Sequence, residues 1–349
     1  MKKLLSLLFI AASLFGQIKF TETEMDSIIS PYVKDTTFSG CILIGTPDEI
    51  LFKKAYGYAN FELEVPNKTE YVFNVASISK QFTGASVLIL SLQNKLSIDD
   101  TLKKYLPDFP NADKITIKSL LTHKSGIQTY NDFKNYDSLK LFTTDLPKVV
   151  EWIKKNAVFN EPNDKFVYSN SNYGILAYLV EKVSGMPFNE FLAKNFFIPA
   201  NMTNTGNFSR IDLIKGRVNH YEVTPEGLKN IPYFNYSFKY GSGALQTSVE
   251  DLYKWYVALN KNKIFSSDFM NKFLTGDKIE GGYGYGLGKN RIGFSRIAEH
   301  EGGVPGVAAY VVYVLEPSYF IAFISNITNT NTRAARKDIY NYIYQKLGL

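Results

Sequence analysis

Short apolar stretches broken by polar turns open the chain after its first twenty residues. Ser39–Ile44 and Ile50–Tyr58 are apolar runs joined by Gly45-Thr46-Pro47-Asp48, a pattern that predicts two strands and a tight connection. Thr23–Val33, ahead of them, has the spacing of a leading helix. From Ser77 to about Gly185 the period becomes helical, at Gln81–Gln93, Ile117–Thr122 and Ser171–Ser184, the last closed by Gly185. Thr129–Leu146 is polar and aromatic without a clear period and is expected to be a surface loop region. Strand character returns at Arg291–Glu299, Val307–Leu315 and Tyr319–Ser325, with Glu316-Pro317-Ser318 as a hairpin connection. Thr332–Leu347 closes the chain as an amphipathic helix.

Strands at both ends with helices between them predict an α+β chain in which one sheet is built from distant pieces. The expected division is a sheet domain from 17–74 and 231–349 and a helical domain from 75–230, with the site at their junction. A length of 349 residues allows one large domain or two closely joined ones. No internal repeat or low-complexity tract interrupts this organisation.

Charge and composition narrow the function classes. The net charge of +6 is spread along the chain without a long Lys/Arg run, so it is a surface property and not a nucleic-acid footprint. Lys2 and Lys3 precede the apolar run Leu4–Phe15 and then Gly16-Gln17, so residues 1–16 read as a secretory signal peptide. That run is shorter than the roughly 20 residues a spanning helix needs, and no other segment is apolar enough. A secreted or periplasmic location and a mature chain without a membrane span are therefore expected. The single Cys41 excludes an intramolecular disulfide, and its strand setting makes it a structural thiol.

Three segments carry candidate chemistry. Ser77-Ile78-Ser79-Lys80 is the only Ser-x-x-Lys of the sequence. At helical spacing the two side chains share a face, and Ser77 in the first turn lies near the positive end of the helix dipole. A desolvated Lys flanked by a second cation can lose its proton near neutral pH and accept one from a hydroxyl. Read blandly, the same tetrapeptide is a helix start with Lys80 in solvent. Tyr168-Ser169-Asn170, in a polar turn before an apolar helix, offers a second acid/base group, and a neighbouring Lys charge would lower the Tyr pKa toward a phenolate. Tyr58-Ala59-Asn60 and Tyr233-Phe234-Asn235 match the same Tyr-x-Asn pattern, and Tyr168 is equally well a half-buried ring. His300-Glu301-Gly302-Gly303 follows a strand, and its glycines allow a backbone N–H to approach a ligand as an oxyanion hole requires. A plain glycine-rich hairpin is the alternative there.

In this order the three segments resemble the penicillin-recognising serine hydrolases: class C β-lactamases, their D,D-peptidase relatives and β-lactamase-related esterases. Phe73–Thr83, Lys95–Asp100, Leu120–Gly126, Gly241–Leu245 and Tyr283–Gly288 are also similar to family segments. The resemblance implies a β-lactamase/transpeptidase-like fold, an antiparallel sheet flanked by helices with an inserted all-helical domain. It implies an acyl-enzyme route without metal or organic cofactor, on a small-molecule or peptide substrate, cell-wall fragments among the candidates. Position by position, Ser77 would be the nucleophile, Lys80 its proton acceptor or electrostatic partner and Tyr168 the general base/acid. Asn170 would donate to the substrate's amide oxygen. His300 and Gly302 would stand in the third motif, and the N–H groups of Ser77 and Gly303 would form the oxyanion hole. His123 lies in a family-like segment that reads as structural, and no motif supports His220.

Two departures from the family pattern bear on this. Pro162-Asn163 replaces a Pro-Gly, and Asn tolerates the same left-handed turn. His300-Glu301-Gly302 stands where true β-lactamases carry Lys-Thr-Gly, whose Lys and Thr help bind a substrate carboxylate. A His with a pKa of about 6.5 is mostly neutral at pH 7, and Glu301 would repel a carboxylate if it faced the cleft. A peptidase or esterase is therefore expected before an efficient β-lactamase, with an inactive fragment-binding relative as the reading from another class.

Overall fold

The computed structural model describes residues 18–261, 265–276 and 282–349; the segment read as a signal peptide lies outside them. Helix α1 (Glu22–Lys34) starts at a capping box, the Thr21 hydroxyl and the Glu24 carboxylate satisfying each other's backbone N–H groups. Its Met25 and Ile29, one turn apart, are buried. Strands β1 (Gly40–Gly45) and β2 (Ile50–Tyr56) follow as the apolar runs predicted, the first shifted by one residue and the second ending two residues early. They join β3 (Tyr283–Gly284), β4 (Leu287–Ile292), β5 (Ser295–Val304), β6 (Val307–Val314) and β7 (Tyr319–Ser325). The seven strands form one antiparallel sheet in the order β2-β1-β7-β6-β5-β4-β3.

The central strands are buried on both faces, which explains why β1 and β7 read as unbroken apolar runs. Cys41 and Leu43 face the helical body, while Ile42 and Ile44 face a second core that includes Met25, Ile29, Ile339 and Ile343. The terminal helices α1 and the C-terminal Thr332–Leu347 thus cover one face of the sheet. The helices after Ser77 cover the other.

At the centre of that second layer runs α2 (Lys80–Leu92), whose first nine residues are all buried. It packs on α3 (Asn170–Ser184), which Gly185 ends in a left-handed conformation (φ 71°), as its sequence predicted. The N-terminal end of α2 is fixed by close backbone approach. A Cβ on Gly84 would lie 2.2 Å from the Tyr285 carbonyl carbon, and one on Gly286 would lie 2.2 Å from that of Lys80. The α2 backbone and the 285–286 turn are in contact because these positions are glycine.

Four expectations are corrected. Arg291–Glu299 is not one strand: a turn at Gly293-Phe294 divides β4 from β5, and the apolar residues on both sides hid it. His300–Gly303 lies inside β5 and not after it, the turn coming at Pro305-Gly306. The span 75–230 is not all helix, because Tyr221–Thr224 and Gly227–Asn230 form a polar hairpin beside Ile327–Thr328. The 129–146 segment is not merely surface: Tyr130 and Phe133 are buried, with short helical turns at Tyr130–Asp132 and Tyr136–Leu139.

Two glycines inside helices should respond in opposite directions. Gly84→Ala overpacks against the 285–286 backbone and should lower unfolding stability in urea by about 1–3 kcal/mol. Gly174→Ala in α3 meets only side-chain atoms at 3.7 Å and should be neutral or stabilise by up to about 1 kcal/mol. Equal stabilities for the two variants would contradict the packing described.

Candidate active site

The chain reaches the Ser-x-x-Lys segment through Phe73–Asn74, which bridges to Gln246–Thr247. The Asn74 carboxamide oxygen accepts from the Ala76 N–H at 2.8 Å, and Ala76 takes a left-handed φ of 45°. This conformation is rare for a residue with a Cβ and marks a strained turn. A 3-10 turn, Ala76–Ser79, leads directly into α2. Ser77 is half-buried among buried neighbours. Ser79 is spent on structure: its hydroxyl donates to Ala76 O (2.6 Å) and accepts from Leu245 N (3.0 Å).

Lys80 is wholly buried. Its Nζ lies 3.0 Å from Ser77 Oγ, 2.7 Å from Asn170 Oδ1 and 2.5 Å from the Ser242 carbonyl oxygen. Among the described residues no carboxylate pairs with it, and the rings of Tyr168 and Tyr173 stand 5.0 and 5.7 Å away. Burial, and then the positive charge of Lys239, hold its pKa well below that of a free lysine. Lys239 is itself buried against Tyr130, Tyr136, Phe234 and Phe238, and burial brings it down to about 7. The second cation that the chemistry of a Ser-Lys pair calls for is therefore present. Lys239 sits in no recognised motif, and a lysine two residues before Gly241-Ser242-Gly243 gives no sequence signal of its own.

Tyr168 reaches the same region from the turn before α3, its ring 5.0 Å from Lys80 Nζ and its hydroxyl near enough to Ser77 to affect its ionisation. The residue as a whole is 36% exposed. Burial pushes its pKa above that of a free phenol, against the expected phenolate. His123 holds this turn in place. Its backbone oxygen accepts from Val167 N (2.8 Å), its Nδ1 accepts from Ser169 N (3.1 Å), and its ring lies 4.4 Å from that of Tyr168.

Asn170 is held at the site by two neighbours, and among the described residues one Nδ2 hydrogen stays free for its expected donor role. Its Oδ1 is occupied by Lys80 and its Nδ2 donates to Asn131 Oδ1 at 2.7 Å, so the amide is oriented from both sides. The partner Asn131, and Thr129, whose hydroxyl accepts from Asn170 N (3.2 Å), belong to the segment expected to be a surface loop. So does Tyr130, whose hydroxyl bonds that of Ser242. The missing periodicity there reflects a segment shaped by the site.

On the sheet side, Gly302 passes the serine turn so closely that a Cβ would lie 2.2 Å from Val75 O. The pairing of β4 with β5 ends at Glu299, which leaves the edge of β5 from His300 onward open toward that turn. Val304 and Val307 close a two-residue hairpin, and ladder alternation turns the Gly303 N–H to this open edge. His300 is buried, its Nδ1 donating to Glu301 O (2.6 Å) and its Nε2 accepting from Tyr283 OH (2.8 Å). Burial, and then Lys80, push its pKa down to about 3, so it is neutral with both nitrogens engaged. Glu301 points to the opposite face of the strand. There Arg336 (3.0 Å) and Arg333 (3.2 Å) pair with it and hold its carboxyl below the usual range, offsetting the opposing effect of burial. The two arginines counter the Glu301 charge, so the repulsion expected if Glu301 faced the cleft is weakened. Among the described residues, no group of three or more His, Cys, Asp or Glu is arranged to hold a metal ion.

This arrangement matches known proteins. Residues 25–345 fit the family described as Beta-lactamase. Penicillin-binding protein 4* of Bacillus subtilis (strain 168) is 30% identical over 315 residues, 83% of this chain and 68% of that protein. A teichoic acid D-alanine hydrolase of Staphylococcus aureus is 27% identical over 246 residues, 70% of this chain and 60% of that protein. The D-amino acid amidase of Ochrobactrum anthropi SV3, complexed with L-phenylalanine, superposes with a TM-score of 0.82 at 18% identity, covering 93% of this chain and 99% of the amidase. With the sheet, the inserted helices and the Ser-Lys-Tyr cluster at their junction, the chain belongs to the Beta-lactamase family of penicillin-recognising serine hydrolases.

Proposed function

We propose that the protein is a secreted acyl-transfer hydrolase that cleaves D-aminoacyl amides or small esters through an acyl-enzyme on Ser77. The observation that carries this reading is the setting of Lys80 Nζ. A neutral amine has two hydrogens and one lone pair. As an amine, Lys80 would give these two hydrogens to Asn170 Oδ1 and Ser242 O and turn its lone pair to the Ser77 hydroxyl, whose Oγ, 3.0 Å away, accepts from Nζ when the ammonium is present. As Ser77 Oγ attacks the carbonyl carbon, its proton passes to Lys80, and the oxyanion is held by the Ser77 and Gly303 N–H groups. The tetrahedral adduct collapses as the proton travels from Lys80 through the Tyr168 hydroxyl to the leaving nitrogen or oxygen. Water, giving its proton back along the same path, then releases the acyl group and restores Ser77. Tyr168 thus relays a proton and does not start as a phenolate.

The substrate class rests on β5. Where family members that bind a carboxylate carry Lys, this chain has a neutral, fully engaged imidazole, and the Glu301 charge lies on the other face. The preference for substrates without a carboxylate beside the scissile bond therefore follows from a missing cation and needs no repulsion. The relatives named for a D-alanine hydrolase and a D-amino acid amidase are in keeping with it. The basic and apolar residues 2–16 support a site of action outside the cytoplasm and a cell-wall-derived substrate.

Two outcomes test this reading. A fluorescent phosphonate should add to Ser77, seen by intact mass, and Ser77→Ala should lose both adduct and turnover with the fold unchanged. In the wild type, D-alanine amides and p-nitrophenyl esters should be hydrolysed in preference to a chromogenic cephalosporin; the reverse order would overturn the substrate assignment. Lys239→Met tests the proton acceptor. It removes the charge that disfavours ammonium at Lys80, so the Lys80 pKa rises and the ascending limb of kcat/KM against pH moves upward. Each half unit of movement costs roughly threefold in rate on the acid side, with little change above the limb. A limb that stays in place or moves down contradicts the assignment.

A further inference from the structure

A second pocket, of about 390 Å³, opens between the 208–220 segment, the polar hairpin and Gln246. Its walls carry Arg210, Arg217, His220 and Tyr236, none of which the proposed reaction uses. Three polar atoms of its lining residues are buried and, among the described residues, have no hydrogen-bond partner: Arg217 Nε, His220 Nε2 and Tyr236 Oη. Orphaned buried groups are rare in folded proteins, and three in one cavity point to an absent occupant.

The charges indicate what that occupant is. The Arg217 guanidinium is fixed by its terminal nitrogens, one hydrogen of each donating to Arg210 O (3.2 Å) and Ser209 O (2.9 Å), while the buried Nε has no partner among the described residues. Arg210 lies over the Tyr233 ring at 4.8 Å. Among the described residues neither arginine forms a salt bridge. Asp212, whose charge reaches Arg217, accepts from the backbone N–H of Ser209, and Glu62 on the hairpin side is taken by Tyr221 and Asn230. Water would satisfy the orphaned donors, but Asp212 is the one carboxylate whose charge reaches Arg217, so the pocket mouth keeps a net positive field from Arg210 and Arg217. We propose that this pocket is a binding site for an oxyanion, a phosphate or carboxylate group, held by Arg217 Nε, His220 and the Tyr236 hydroxyl, with Arg210 as the second charge. It adjoins the catalytic region, since His220 packs on Gly306 at the β5–β6 turn and Gln246 pairs with Asn74. A molecule or polymer bearing such a group would be retained beside the acyl-transfer site.

The test uses the full chain as Ser77→Ala, so that binding is read apart from hydrolysis. Inorganic phosphate and acetate are titrated separately at constant ionic strength, with chloride as control, while the His220 ring proton is followed by NMR and assigned through His220→Gln. Burial, and then Arg210 and Arg217, push the His220 pKa down to about 4. An anion in the pocket should offset this and raise it by about one unit or more, saturably, and the tighter of the two probes identifies the group. Arg210→Gln should weaken binding about tenfold, the loss expected for one charge-assisted contact, and Arg217→Lys at least as much. Because Arg217 also ties down the 209–210 backbone, Arg210→Gln, checked for unchanged circular dichroism, is the decisive variant. No saturation with either probe up to about 50 mM, or Arg210→Gln binding as the parent does, overturns the proposal.

Discussion

A lysine buried without a carboxylate partner is the constraint from which the rest of this molecule follows. An isolated ammonium in a dry interior costs far more than any single packing contact returns, and the group answers by giving up its proton. Lys80 is brought there because α2 begins inside the protein, its first turn pressed against the 285–286 backbone through Gly84 and Gly286. Asn170 Oδ1 and the Ser242 carbonyl hold the nitrogen in place, and it is burial, with Lys239 among four aromatic rings, that disfavours its charge. The strained Ala76 turn presents Ser77 to the one lone pair left free.

The elements were legible wherever burial imposed a period. β1 and β7 read as strands because both faces are covered, and α3 ended where Gly185 stands because that glycine takes a left-handed conformation. Ser77, Lys80 and Tyr168 could be named because the family motif preserves their spacing, and the structure brings all three together. What remained hidden is set by contacts between distant segments. Residues 129–133 carry no period because they are shaped around Asn170 and Ser242, and the hairpin at Gly293 is masked by apolar residues on both sides. Lys239 lies 159 positions from Lys80 and acts through space, a relation no local pattern records.

The His-Glu-Gly segment shows how one strand can separate the roles of neighbouring residues. Alternation along β5 puts His300 and Gly302 toward the serine turn and sends Glu301 to the terminal helix, where two arginines neutralise it. A charge that seemed to shape substrate choice instead ties the strand to the helix behind it. In the proposed reading, substrate choice rests on a neutral imidazole whose hydrogen bonds are already made.

The ionisation of Lys80 is the claim on which the mechanism stands, and it can be observed directly. NMR of lysine-labelled protein, with the Lys80 side-chain signal assigned through Lys80→Arg, gives the titration of Nζ in Ser77→Ala. A midpoint well below the usual 10.5 of a lysine is the expected result. A midpoint at or above that value would mean that the ammonium persists at neutral pH, and Lys80 would then not be the group that takes the Ser77 proton.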